Sequence, residues 1–160
     1  MKCGQIWVSD RQSDVDIQQL QGLFKLAAFW AQNRSIEDWE IAIANSDPVI
    51  TIWDDDRLIG FTRANSDCVF RATIWDVVIH PDYRGQGLGR KLIETLLDHP
   101  RIRRVERVYL MTTYQQGFYL KLGFEFPNPS TAMLLYNQRR INALSKSDRA
   151  NVCKNSLKIE

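Results

Sequence analysis

Hydrophobic residues recur along this chain in two rhythms, one typical of helices and one typical of strands. The first helical stretch begins after Asp14, whose carboxylate can cap a helix, and its apolar residues follow the 3, 4 spacing of one helical face. These residues are Leu20, Leu23, Phe24, Ala27, Ala28 and Ala31. Ser35, followed three residues later by Asp38, resembles a capping box and predicts a second helix. Its inward-facing residues are Ile36, Trp39, Ile43 and Ile41.

Strand-like segments lie on both sides of these two helices. Ile6–Ser9 predicts the first strand. A hairpin is predicted for PVITIW and RLIGFTR, which flank the polar turn Asp54–Asp56, because β-branched and aromatic residues stand on either side of turn formers. The run Ala72–Ile79 is apolar enough for a central strand, and Pro81 stops it.

The rest of the chain continues the alternation. A helix is predicted between the glycines at 85, 87 and 89 and Pro100, with Leu88, Leu92, Ile93, Leu96 and Leu97 at helical spacing. ERVYLMTT predicts a strand, QQGFYLKL a short helix ended by Gly123, and AMLLY a closing strand. The order β, α, α, β, β, β, α, β, α, β predicts a mixed α/β (α+β) domain over residues 1–137.

Composition is typical of one globular domain. The chain has 160 residues, 44% of them hydrophobic and 25% charged, which excludes the disordered, collagen-like and disulfide-scaffold classes. No apolar run approaches the roughly 20 residues needed to cross a bilayer, and the first residues lack an apolar signal core, so a cytoplasmic location without a membrane partner is expected. Cys3, Cys68 and Cys153 are widely spaced, with no Cys/His cluster, which favours free thiols and no metal site.

Charge is unevenly distributed. The formal net charge is +2, and residues 138–160 carry six Lys and Arg against two acidic side chains. This basic C-terminal tail predicts a solvated extension that can be mobile. Binding to nucleic acid is the alternative, but the tail lacks the interleaved aromatic residues that such binding favours, so nucleic acid is not the expected partner.

The segment VVIHPDYRGQGLGRKLIETLL carries the strongest chemical signal, because a strand runs through a glycine-rich turn into a helix. Such a turn directs backbone N–H groups and the positive end of the helix dipole at one point, which suits a phosphate. A Walker loop would need a Lys and a hydroxyl residue after Gly89, where Arg90 and Lys91 stand with no hydroxyl behind them. A dinucleotide fingerprint would need a glycine at Arg90. Both alternatives fail on spacing.

The remaining pattern, Arg84–Gly89 of the form R-x-x-G-x-G, resembles the acyl-CoA pyrophosphate loop of the GNAT N-acetyltransferase superfamily. Tyr119, four residues before the Gly of Gly123-Phe124, matches the usual general acid of that superfamily. The resemblance covers about residues 5–136 and implies the GNAT fold, a single central mixed sheet of about six to seven strands flanked by about four helices. More narrowly, Ile74–Val77 resembles the plastid and cyanobacterial subgroup described as serotonin N-acetyltransferase-like, which also includes enzymes described as protein acetyltransferases.

The resemblance implies transfer of the acetyl group of acetyl-CoA to a primary amine by direct attack in a ternary complex. The amine must be neutral, and at pH 7 an amine with a pKa near 10 loses its proton at a cost of roughly 4 kcal/mol. Asp76, the only ionisable residue inside the predicted central strand, is the candidate base, with a structural carboxylate bound to backbone N–H groups as the alternative and an ordered water as the other proton acceptor. Many relatives carry a Glu about three residues earlier, where this chain has Thr73, which cannot take a proton. His80, beside Pro81, is expected to face solvent.

The same resemblance assigns the remaining site residues. Tyr119 would protonate the departing CoA thiolate, with Tyr114 as a weaker stand-in. Backbone N–H groups of a bulged strand would meet the thioester carbonyl and the pantetheine amides, the glycine loop would hold the pyrophosphate, and Thr112 replaces an Asn that contacts the cofactor in relatives. The predicted cofactor-binding residues are Val77, Val78, Ile79, Arg84, Gly85, Gln86, Gly87, Leu88, Gly89, Arg90 and Thr112, and Lys91 can add charge.

The acceptor amine is left open by the sequence. An arylalkylamine such as serotonin, a protein lysine, a protein N-terminus and a polyamine-like compound are the candidates. Four tryptophans could line an indole site, but their spacing is more typical of core residues: Trp30, Trp39, Trp53 and Trp75. A non-catalytic acyl-CoA-binding regulatory module is the alternative function. A homodimer through the closing strand at 132–136 is a further expectation.

Overall fold

A computed structural model of the chain describes residues 4–126. Their helices and strands are β1 (Ile6–Ser9), α1 (Ile17–Ala27), α2 (Ile36–Ala44), β2 (Val49–Asp54), β3 (Arg57–Ser66), β4 (Arg71–Ile79), α3 (Leu88–Asp98), β5 (Arg107–Tyr109) and α4 (Gln116–Leu120). The predicted order is confirmed from β1 through α4. The predicted closing strand at 132–136 and the basic tail lie outside the described residues. The chain divides into two compact units, one up to Met111 and one from Thr112 onward.

The first unit is built on one open sheet with the strand order β1-β2-β3-β4-β5. Neighbours from β1 to β4 are antiparallel, and β4 pairs with β5 in parallel. The predicted count of six to seven strands is wrong for the described residues, which form five, because the sixth strand-like segment falls beyond residue 126. The mixed α/β architecture with four α-helices is confirmed.

Side chains bury both faces of this sheet. On one face, α1 and α2 pack against β2, β3 and β4 in a cluster that includes Phe24, Trp39 and Phe61. Ile50 and Ile52 alternate with the β2 residues of that cluster, so they point to the other face. Helix α3 contacts β2, β3 and β4 and covers that second face with fully buried residues, Leu92, Ile93 and Leu96. The sheet is therefore fixed on both sides along β4, the strand that leads into the glycine loop.

Of the two predicted helix caps, the one at Ser35 is confirmed and the one at Asp14 is wrong. Ser35 caps α2 as expected, because its side chain accepts a hydrogen bond from the backbone N–H of Asp38 at 3.1 Å. Asp14 does not cap α1. Asp16 takes that position and accepts from the N–H of Gln19 at 3.0 Å, while Asp14 accepts from the hydroxyl of Ser9. Two carboxylates two residues apart can both serve as caps on sequence grounds, and the geometry of the chain before α1 selects the second.

The sheet opens between β4 and β5. Their pairing begins at Arg71 and ends where Thr73 meets Tyr109. From Ile74 to Ile79, β4 continues without a strand partner on that side among residues 4–126. None of the helices in that range is long and apolar enough to span a membrane.

Candidate active site

A β-bulge interrupts β4 at Asp76 and Val77. Arg63 stands opposite Trp75 and Phe61 stands opposite Val78, so one residue of β3 faces two residues of β4. Asp76 has a φ of 58°, in the left-handed region that few residues other than glycine adopt. Aspartate is among the few that tolerate it. The bulge lies in the strand where the family resemblance predicts one.

The carboxylate of Asp76 is held by two guanidinium groups. Its Oδ1 accepts from Nη1 of Arg34 at 2.9 Å and its Oδ2 accepts from Nε of Arg63 at 2.8 Å. The side chain is only 6% exposed. A structural carboxylate, the alternative role for Asp76, is predicted to bind backbone N–H groups, but arginine side chains supply the donors instead. No sequence motif near Asp76 predicts either partner, because Arg34 and Arg63 lie 42 and 13 residues away from it along the chain.

Each of these arginines is anchored a second time. The guanidinium of Arg34 lies over the ring of Trp39, 4.9 Å from its centroid, and also faces the Phe24 ring at 5.8 Å. The Nη1 of Arg63 donates to the hydroxyl of the buried Ser46 at 3.0 Å. Both contacts restrict the side chains before any ligand binds.

A cavity of about 320 Å³ lies beside this cluster. It is lined by Arg34, Asp38, Trp39, Ala42 and Arg63. The indole N–H of Trp39 is buried and has no hydrogen-bond partner within residues 4–126. The cavity therefore presents charged groups next to the bulge in β4.

The backbone of β4 beyond Thr73 can receive an extended ligand. Val77, Val78 and Ile79 lie in the stretch that β5 does not pair, and a strand edge of this kind offers N–H and C=O groups to a ligand that carries amides. Their side chains are half-buried or buried, which leaves the backbone as the functional part. The sequence implied such a role for these positions without predicting that β5 would end so early.

The glycine loop joins β4 to α3 and places backbone N–H groups at the surface. Gly85 and Gly87 have φ values of 75° and 79°, and Gly87 is the N-cap of α3 with no side chain to cap it. A Cβ atom at either position would meet no heavy atom within 4 Å, so the glycines serve the backbone conformation and leave open space above the loop. The first-turn N–H groups of α3, beginning at Leu88 and Gly89, and the helix dipole suit a phosphate.

The polar side chains of the loop have protein partners. Arg84 donates from Nε to the carbonyl of Ile79 at 3.2 Å and from Nη2 to that of Ala27 at 3.3 Å, which ties the loop to the ends of β4 and α1. Arg90 pairs with Glu94 at 2.7 Å on an exposed helix face. Gln86 donates to the carbonyl of Asp82 at 3.4 Å, a long contact. Direct phosphate contacts by these side chains stay a prediction.

His80 is buried rather than solvent-facing, which corrects the expectation from its place beside Pro81. It is 5% exposed, and its Nδ1 accepts from the backbone N–H of Asp82 at 3.2 Å. Its Nε2 lies 2.8 Å from Nη2 of Arg57. Burial, followed by the charge of Arg57, lowers the pKa of His80, so the ring is neutral at pH 7. His80 serves as the N-cap of the short 3₁₀ turn that precedes the loop.

The second unit carries Tyr119 on α4. Its ring packs edge-on against Phe118 and Phe124, with centroids 5.0 and 5.7 Å apart. Gly123, at a φ of 90°, ends this helical segment and allows the N–H of Phe124 to reach the carbonyl of Tyr119 at 3.1 Å. Burial raises the pKa of Tyr119 to about 12, so the phenol keeps its proton at neutral pH.

This unit also contains Thr112 and Tyr114, two further residues that the family resemblance brings into the predicted site. Thr112 accepts a hydrogen bond at its hydroxyl from the N–H of Gln115 at 3.1 Å. Tyr114 is 75% exposed, in contrast to the buried Tyr119. Among the histidine, cysteine and acidic residues that the structure describes, no group of three or more is placed to hold a metal ion.

Comparison with known proteins identifies relatives of both sequence and fold. The chain is 41% identical over 96 residues to the uncharacterized N-acetyltransferase ycf52 of Pyropia yezoensis, which covers 57% of this chain and 55% of that protein. It is 38% identical over 124 residues to the histone acetyltransferase TAP1 of Glycine max, covering 70% of this chain and 53% of that one. The chain thus spans about half the length of the curated relatives it matches.

A solved structure of a Xanthomonas campestris protein assigned to the GNAT family superposes with a TM-score of 0.74 at 28% identity, covering 82% of this chain and 93% of that one. The sequence model of the acetyltransferase (GNAT) family matches residues 16–124, which include β4, the glycine loop and Tyr119. The chain therefore belongs to the acetyltransferase (GNAT) family.

Proposed function

We propose that this acetyltransferase moves the acetyl group of acetyl-CoA to a primary amine by direct attack in a ternary complex. The observation that carries the proposal is the continuity of two features in one segment. The bulged and unpaired edge of β4 leads directly into the positive-φ glycine loop at the start of α3. One extended molecule with amides at one end and phosphates at the other matches that sequence of binding groups.

The donor substrate fits the residues present. The open space above Gly85 and Gly87 allows close approach to the backbone, and the first-turn N–H groups of α3 suit the pyrophosphate. The edge groups from Val77 to Ile79 suit the pantetheine amides. Acetyl-CoA supplies a thioester carbonyl carbon for the amine to attack. A backbone N–H near the bulge would stabilise the oxyanion that forms there.

Proton transfer would need two groups. The attacking amine loses a proton as its N–C bond forms, and either Asp76 or an ordered water accepts that proton. The C–S bond breaks, and the sulfur takes a proton from Tyr119. The raised pKa of Tyr119 keeps the phenol protonated at neutral pH, as the role of a general acid requires.

For the acceptor, we propose an arylalkylamine such as serotonin. The support is the resemblance of Ile74–Val77 to the serotonin N-acetyltransferase-like subgroup. A protein lysine is the second candidate, favoured by the match over 70% of this chain to a relative named as a histone acetyltransferase. A non-catalytic acyl-CoA-binding module is the third, and it would bind the donor without turnover.

The test is CoA release from acetyl-CoA with tryptamine, serotonin, spermidine, a lysine peptide and a peptide with a free N-terminus. Release with the aryl amines that is lost in Tyr119→Phe supports the proposal. Release with peptides alone assigns the function to protein acetylation. Donor binding without release for any amine contradicts the enzyme and supports the binding module.

A further inference from the structure

We propose that Asp76 is a positioning residue which fixes the bulge of β4 through Arg34 and Arg63, and that the proton of the acceptor amine leaves through water. This inference rests on the proposed function for its kinetic part. Its structural part concerns the resting protein and can be tested without turnover.

The first argument is the environment of the carboxylate. A general base must present an oxygen to the amine. Both oxygens of Asp76 accept from guanidinium groups, and its side chain is 6% exposed against 36% for Arg34 and 18% for Arg63. The cavity beside the cluster is lined by the two arginines and not by Asp76. An acceptor entering this cavity meets the guanidinium groups before it meets the carboxylate.

The second argument is the backbone of Asp76. Its φ of 58° is a strained conformation for a residue with a Cβ, and it persists only when surrounding contacts enforce it. The two charged hydrogen bonds supply that enforcement. They come from separate parts of the fold, since Arg34 precedes α2 while Arg63 lies on β3 opposite Trp75.

The third argument is that both arginines are themselves fixed. The carbonyl of Arg34 accepts from Gln21 of α1 at 3.0 Å, and its guanidinium stacks on Trp39 of α2. Arg63 is held by the hydroxyl of Ser46. The two ion pairs therefore connect α1, α2 and β3 to Asp76. This residue immediately precedes Val77, whose backbone would face the donor.

Few charged groups within residues 4–126 lie around Asp76. Arg34 and Arg63 contact it, and Asp38 of α2 lines the same cavity. The acceptor amine must lose a proton in either case, so its own ionisation produces an acidic limb in the pH–rate profile. A base role for Asp76 adds a second ionisation and makes that limb steeper, whereas a positioning role predicts that its slope is unchanged when Asp76 cannot ionise.

Three variants separate these roles. Asp76→Asn tolerates positive φ and can still accept from one arginine, but it cannot take a proton. Asp76→Ala loses the hydrogen bonds from both arginines. Arg63→Ala keeps the carboxylate of Asp76 and removes one of its two guanidinium donors. We expect kcat to fall about fivefold in Asp76→Asn and about fiftyfold in both alanine variants, with the acidic limb of the pH profile of Asp76→Asn keeping the wild-type slope.

Asp55 provides the matched control. It has a φ of 52°, in the same backbone region, but lies in the turn between β2 and β3. Asp55→Asn and Asp55→Ala should leave kcat unchanged. Equal losses in Asp76→Asn and Asp76→Ala, together with an acidic limb less steep than that of the wild type, would overturn the proposal in favour of a base.

The amide ¹H–¹⁵N shifts of Val77 and Val78 test the structural part. We expect them to move in Arg63→Ala, which leaves the sequence around Val77 unchanged, and to stay in place in both Asp55 variants. Unmoved shifts in Arg63→Ala would overturn the proposal even if the wild-type protein has no acetyltransferase activity. Failure of the proposed function is read separately, from CoA release by the wild-type protein.

Discussion

Asp76 and Arg63 form an ion pair of 2.8 Å between two neighbouring strands at the point where those strands lose register. We propose that the pair holds the irregular segment of the sheet that precedes the glycine loop. A base role for Asp76 is the competing hypothesis, and both oxygens of its carboxylate already accept from arginines.

Replacing Gly87 by alanine should weaken CoA binding. The φ of 79° is strained for any residue with a Cβ, while nothing within 4 Å would obstruct the methyl group. We therefore expect a loss of about 1 kcal/mol of stability and a weaker Kd for CoA, both measured by calorimetry and denaturation. Gly22→Ala is the control, because Gly22 is an exposed residue in the middle of α1 with open space around it and alanine favours helices. Unchanged CoA affinity in Gly87→Ala would remove the loop from the donor site.

Tyr119→Phe should lower turnover while donor binding stays normal, because the proton for the thiolate is lost and the packing against Phe118 and Phe124 is retained. A reduction in kcat of at least tenfold is expected, with steady-state kinetics and CoA affinity measured together. Tyr114→Phe is the control, since Tyr114 is exposed. A variant with wild-type kcat would exclude Tyr119 as the acid.

Tyr119 should also make stability depend on pH in the alkaline range. Its pKa is raised to about 12 in the folded state, above its ordinary value near 10. The contribution of the neutral phenol is therefore complete below pH 10 and is lost as the pH rises toward 12, with a magnitude on the order of 2 kcal/mol. Urea denaturation between pH 9 and pH 11 should show a smaller decline for Tyr119→Phe than for the wild type. Equal declines in the free energy of unfolding of the two proteins would contradict a raised pKa of Tyr119 in the folded state.

His80 should produce a second pH dependence on the acidic side. Its pKa is lowered in the folded state, mainly by burial, so the neutral ring is favoured by folding. Stability is therefore complete above the ordinary pKa near 6.5 and declines as the pH falls through that value. Unfolding free energies measured from pH 7.5 to 5.5 should decline less for His80→Gln than for the wild type. The same slope in both proteins would refute a buried neutral histidine.

Asp16→Ala should destabilise the protein by about 1 kcal/mol, because the N–H of Gln19 loses its partner at the start of α1. Gln18→Ala, an exposed change in the first turn of the same helix, should have little effect or stabilise slightly. Urea denaturation of the two variants compares them directly. Equal stabilities would show that Asp16 is not the working cap.

The sequence predicted the features that are encoded locally. Element order, the hairpin at Asp55, the cap at Ser35 and the loop at Gly85 and Gly87 all depend on residues a few positions apart. The fold around the loop followed from the family resemblance.

Features that depend on distant partners were missed. The hydrogen bonds from Arg34 and Arg63 to Asp76 join residues far apart in the chain, and no sequence motif near these residues predicts them. The burial of His80 was missed because Pro81 ends the strand but does not show that Arg57 lies against the ring. Tertiary packing brings these residues together, and the hydrophobic periodicity of the sequence does not predict such contacts.

The early end of β5 has a consequence for handling the protein. Beyond Thr73, β4 presents unpaired edge groups among the described residues, and such an edge can recruit a strand from another copy and start aggregation. If acetyl-CoA binds this edge as we propose, it would compete with that process and would also raise the melting temperature by mass action.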